Sequence, residues 1–179
     1  EPLAFCRGQA SDWKQSAEGP LDVRVCECCP TSAAVTAEGP IVAFRNRSDE
    51  EVRDIHVTRF EAGKWTEPAA VHDDGWKIAG CPVNGPMLSA RGRDVELAWF
   101  TGRDEQGRAF LAFSKDAGRT FGAPIRLDGG GTLGRVEIGL ERPAGVAVVG
   151  AQGVGAVLLP AQYAAEGVDD DELGAVGLG

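Results

Sequence analysis

Short apolar runs separated by polar or glycine-bearing turns recur along the first 140 or so residues, and several follow the two-residue period of a half-buried strand. The spacing predicts strands at 32–36, 41–44, 53–60 and 68–71, with Ile55 and Val57 on one face of the third and His56 on the other. A second series contains the apolar run 109–113 and the segment 123–127. Between them lies Ser114-Lys115-Asp116-Ala117-Gly118-Arg119-Thr120-Phe121. That stretch predicts a self-supporting turn: Ser114 and Asp116 can accept backbone N–H groups, Gly118 can take a positive φ, and Phe121 can fold beneath the loop. No amphipathic helix is evident before about residue 150.

The two series are copies of one another. Cys26 and Cys81, Ala43-Phe44 and Ala98-Trp99, Arg53 and Arg108, and Gly63 and Gly118 are each 55 residues apart. The register then slips to 56 for Trp65 with Phe121 and Pro68 with Pro124, because the second copy carries Thr120 as an insertion. Arg59-x-Glu61-x-Gly63 is thus a degenerate form of Ser114-x-Asp116-x-Gly118. Tandem four-stranded units predict an all-β chain built as blades of a β-propeller; a β-sandwich is the alternative, but it requires no such period. The expected divisions are 1–25 as the end of a preceding blade, 26–80 and 81–134 as two full blades, and 135–179 as an incomplete or diverged blade with an acidic tail.

The set Ser114, Asp116, Gly118, Thr120 and Phe121 resembles the Asp box, or bacterial neuraminidase repeat, of sialidase-like six-bladed propellers. The run 74–86, together with Cys26-Glu27-Cys28-Cys29 and Arg53-Asp54-Ile55, resembles a bacterial subgroup described as exo-α-sialidase-like. The likeness spans roughly residues 10–140. It implies a propeller fold, a structural Asp box on the face away from the ligand, and a carbohydrate-active, glycoside hydrolase-like function. Fold does not fix activity, so the enzyme question stays open.

Blade connectivity sorts the loops. Turns between strands one and two and between three and four share one end with the Asp box. The loops 45–51 and 101–107 and the links 26–30, 72–86 and 128–135 share the other. The resemblance implies a guanidinium cluster for a substrate carboxylate, an acid, and a tyrosine nucleophile. Arg45, Arg53, Trp76, Lys77, Asn84 and Arg135 are the candidate substrate-binding residues, and Asp54 and Asp74 the candidate acids. The only tyrosine, Tyr163, lies in the atypical tail, so little activity is expected of this chain alone. The competing reading of 45–53 is a solvated loop of mixed charge. Trp65, Trp76, Trp99 and Phe121 read first as packing between blades, with Trp76 placed to serve as a ligand platform.

The cysteines admit two chemistries. Cys26, Cys28 and Cys29, with Cys81 as a fourth, suit thiolate ligation of a soft metal. The preferred reading is a disulfide, with Cys26 and Cys81 as the natural pair, because paired C-x2-C motifs are absent. No cofactor is expected. A non-catalytic binding scaffold, with a cysteine metal or redox site, is the alternative function.

Charge narrows the partners. With 18 basic and 27 acidic side chains, the net charge of −9 disfavours nucleic acid and leaves a glycan or other small polar ligand as the expected partner. Disulfide chemistry suggests a secreted or periplasmic location. After Arg142 there is no Lys, Arg or Trp, and the tail reads as truncated, diverged or frame-shifted sequence. The charge-free window 143–165 is long enough to cross a membrane but too rich in glycine and too weakly apolar for a span to be expected. Three blade lengths cannot close a six-bladed ring, so missing blades or self-association are expected to cover the exposed edges.

Overall fold

The computed structural model describes residues 3–8, 15–130, 132, 134, 136–140, 146–150 and 156–158. The chain is all-β, with several antiparallel sheets. A hairpin of β1 (Leu3–Gly8) and β2 (Gln15–Asp22) comes first. The second sheet runs β3 (Ser32–Thr36), β4 (Gly39–Arg45), β5 (Ile55–Glu61) and β6 (Lys64–Trp65), with β7 (Ala69–Ala70) also paired to β5. The third is the meander β8 (Met87–Arg91), β9 (Asp94–Thr101), β10 (Arg108–Ser114) and β11 (Ile125–Arg126). The last joins β12 (Val136–Leu140), β13 (Val146–Gly150) and β14 (Ala156–Leu158).

The expected strand 68–71 is present as the shorter β7, and an additional two-residue strand, β6, precedes it across a break in the ladder. Thr66 causes the break: its N–H bonds to Arg59 O, its hydroxyl accepts the Arg59 N–H, and its carbonyl accepts the Thr58 hydroxyl at 2.7 Å. The chain therefore leaves the ladder at Thr66 and rejoins it after Pro68.

The sheets stack, with β3 against β8 and β12 against β8 and β9. One core joins Ile41, Ala43, Ile55 and Val57 to Leu88, Val95, Leu97, Trp99 and Ala112. A second joins Ala98, Ala109 and Leu111 to Val136. Alternate residues of β9 and β10 thus enter opposite cores, which is why 95–100 is apolar at nearly every position: this sheet is covered on both faces. Each fully buried side chain such as Leu97 or Ile41 contributes about 2 kcal/mol.

The turn at 114–121 closes on itself. Ser114 Oγ accepts the Gly118 N–H at 2.8 Å and donates to Asp116 Oδ1 at 2.7 Å, while Asp116 accepts the Thr120 N–H at 2.9 Å and the Thr120 hydroxyl at 2.6 Å. Burial alone would raise the Asp116 carboxyl, but the Thr120 and Ser114 hydrogen bonds outweigh it and lower it to about 2. Ala117 and Gly118 have φ of +61° and +81°, and the equivalent Ala62 and Gly63 have +48° and +85°. In that degenerate copy Arg59 donates to Glu61 at 2.9 Å where Ser114 donates to Asp116. Phe121 packs against the first core. Among the described residues no helix is long and apolar enough to cross a membrane, and the part of 143–165 that is described consists of β13 and β14.

Candidate functional site

At the end opposite the turn 114–121, the links between sheets converge on the loop after β4. An isolated bridge pairs Val25 with Asn46, and the Cys26 N–H donates to Arg45 O at 2.9 Å. The chain then turns tightly, with Cys29 N–H donating to Cys26 O at 3.0 Å, which folds three sulfurs toward one point. The link after β7 closes over this turn: Gly85 lies so near the Pro30 carbonyl that a Cβ would overlap it. A cleft of about 180 Å³ adjoins the turn, bordered by Val25, Cys26, Glu27, Cys29, Phe44 and Arg45.

The disulfide is Cys28–Cys81, with Cα atoms 6.2 Å apart; Cys26 and Cys29 are free and buried. This corrects the expected Cys26–Cys81 pair. Neither cysteine lies on an inner strand, and the bridge at Val25 holds the Cys26 side chain inward while the turn presents Cys28 to the exposed Cys81. Cys26 Sγ is 3.0 Å from Cys29 Sγ and 3.5 Å from Cys28 Sγ. Burial, and after it the hydrogen bond with Cys26, push the Cys29 thiol up to about 11.

Two arginines flank the sulfurs. Arg53, 4% exposed, donates Nη1–H to Cys26 Sγ at 3.0 Å and Nη2–H to Glu51 Oε2 at 2.7 Å. Arg45, 1% exposed, donates to three carbonyls: Asn84 O at 2.7 Å, Arg53 O at 2.6 Å and Phe100 O at 2.7 Å. Its guanidinium also lies 4.9 Å from the Trp76 ring centroid. Burial lowers the Arg45 pKa, opposed chiefly by the nearby Cys29, Cys26 and Asp74.

The other candidate residues have structural partners. Asp54 accepts the N–H groups of Gly75 and Trp76 at 3.0 and 3.1 Å, clamping the link onto the end of β5. Asp74 is buried, accepts Trp99 Nε1–H at 2.7 Å, and has its pKa raised by burial. Trp76 is buried beside Gly102 and edge-on to Phe100, and so is covered where a ligand platform would have to be open. Lys77 is exposed and pairs through its backbone with Val52. Asn84 is half-buried beside Gly134. Arg135 and Tyr163 lie outside the described residues.

Sequence reasoning did not single out Glu51. It is the hub of the loop, accepting Arg47 at 2.9 Å, Arg24 at 3.0 Å and Arg53 at 2.7 Å, and its carboxyl is lowered to about 2 by Arg47 and then Arg53. The signal available was an acidic run, 49–51, between Arg47 and Arg53. Comparison with protein-family models and with curated proteins returns no match.

Proposed function

We propose that this chain is a non-catalytic module of the sialidase-like, Asp-box propeller kind, whose ligand end is a sulfur site and not a glycosidase centre. The observation that carries this reading is the allocation of partners. Arg45, Asp54 and Asp74 are buried and engaged in holding loops and Trp99, whereas Cys26 and Cys29 are free thiols bordering a cleft. The self-closed turn at 114–121, repeated in backbone form at 59–63, supports the Asp-box relationship. A secreted or periplasmic location agrees with the Cys28–Cys81 bond, since such bonds persist in oxidising compartments.

The test pairs a fluorogenic sialoside assay with cysteine mapping of the unreduced protein. The expected result is no turnover, with Cys26 and Cys29 alkylated as free thiols. Turnover that Asp54→Asn abolishes in a folded protein would overturn the proposal in favour of a glycoside hydrolase.

A further inference from the structure

Resting on that reading, we propose that the reduced chain binds one zinc ion through the sulfurs of Cys26, Cys28, Cys29 and Cys81, and that the Cys28–Cys81 disulfide is the closed, metal-excluding state of the same site. The Sγ atoms of Cys26, Cys28 and Cys29 all lie within 4.8 Å of one another, at 3.0 and 3.5 Å for the two contacts of Cys26. Tetrahedral ligation at a Zn–S length of about 2.3 Å requires sulfurs about 3.8 Å apart, within that range. Cys81 supplies the fourth sulfur, because it is already bonded to Cys28.

The charge around the site argues the same way. Four thiolates and one Zn²⁺ carry a net charge of minus two, which is costly inside a protein unless cations lie beside it. Arg53 touches Cys26 Sγ. Arg45, on the β4 end that anchors Cys26, gives its guanidinium N–H groups to three neutral carbonyls, also hydrogen-bonds Cys29, and has no ion pair within 4 Å among the described residues. A tetrathiolate centre adds to the counter-charge that the nearby Asp74 offers this buried cation. The N–H···S bond from Arg53 is the kind of outer contact that orients a metal-bound thiolate. The carboxylates nearby already have cationic partners: Glu51 shares Arg53 with Cys26, and Glu27, in the turn itself, pairs with Arg47 at 3.6 Å. The cleft beside Cys26 and Cys29 provides the approach.

The chemistry balances. A dithiol transfers two electrons and two protons to the Cys28–Cys81 bond, which breaks to two thiols while the dithiol closes to its own disulfide. Zn²⁺ then displaces the protons of the four thiols to solvent. A disulfide-bonded oxidant accepts two electrons from Cys28 and Cys81 by thiol–disulfide exchange and leaves as two thiols with protons from solvent. The re-formed Cys28–Cys81 bond withdraws two ligands and releases the ion as Cys26 and Cys29 regain their protons.

The experiment uses the full chain, reduced with excess dithiol and freed of it without air, then titrated with Co²⁺ and competed with Zn²⁺. The expected result is one equivalent of Co²⁺, with thiolate-to-cobalt charge-transfer absorption and the strong visible bands of a tetrahedral ion, displaced by Zn²⁺. Unreduced chain and Cys81→Ser should each bind at least about tenfold more weakly, and Arg53→Gln about 10- to 100-fold more weakly. Circular dichroism on each variant separates lost binding from lost fold. Absence of charge-transfer absorption from the reduced, folded wild-type chain would overturn the inference, as would Cys81→Ser binding Co²⁺ as tightly as wild type. Either result leaves the thiol mapping and the sialoside assay intact, so this inference can fail while the sulfur-site reading stands.

Discussion

Arg53 donates to the sulfur of Cys26 at 3.0 Å, with both side chains buried, and reaches Glu51 with its other terminal nitrogen. One guanidinium thereby ties the turn at 26–29 to the loop that follows β4. Replacing it removes a charged donor from both partners at once. Arg53→Gln is expected to destabilise the chain by about 2 kcal/mol in urea unfolding, whereas Arg24→Gln, on the exposed side of Glu51, should cost under about 1 kcal/mol.

Asp54 has an assigned mechanical role, and a conservative change tests it. Asn keeps one oxygen acceptor and loses the other, so Asp54→Asn leaves the Gly75 or the Trp76 N–H without its partner. The expected cost is about 1–3 kcal/mol, measured by denaturant unfolding.

Gly118 and Gly63 share a left-handed backbone but not their surroundings. A Cβ at Gly118 would collide with the Ile41 side chain of the neighbouring sheet, whereas one at Gly63 meets nothing within 4 Å. Gly63→Ala should cost about 1 kcal/mol from backbone strain, and Gly118→Ala at least about 2 kcal/mol. Equal losses would contradict the stacking of the two sheets at this turn.

The Asp116 carboxyl is depressed in the folded chain to about 2, below its unfolded value of about 3.9. Its contribution to stability is present above about pH 4 and lost as the pH falls through about 2. The stability gap between wild type and Asp116→Asn should therefore shrink over that window, as followed by thermal unfolding at stepped pH.

Glu96 has the opposite sign. It is buried on β9 with Oε2 lacking a hydrogen bond, and burial, then Asp94, raise its pKa. Its contribution is full below its unfolded value of about 4.3 and is lost as the pH rises through the raised folded value. Glu96→Gln should therefore have the higher melting temperature at pH 7, and the gain should vanish below about pH 4.

Much of the strand pattern was legible because burial imposes a two-residue period. The edges of β3 and the 55-residue relation of Phe44 to Trp99 follow from such local signals, and the turn at 114–121 is specified almost wholly by its own side chains. The interruption at Thr66 was not legible, since it depends on hydrogen bonds to Thr58 and Arg59 across the sheet. Nor was the fate of Arg45, Asp54 and Asp74. Charged residues in loops read as available chemistry until the third dimension shows what they hold. The cysteine pairing was misjudged for a related reason: the repeat offset matched Cys26 to Cys81, but the local turn decides which sulfur faces outward.

The central claim is that the ligand end is a sulfur site with one closed pair and one open pair. Differential alkylation of the unreduced protein, followed by peptide mass mapping, tests it most directly. The account predicts a Cys28–Cys81 crosslink with Cys26 and Cys29 alkylated once the fold is opened. A Cys26–Cys81 or Cys26–Cys29 crosslink in the native protein would contradict it.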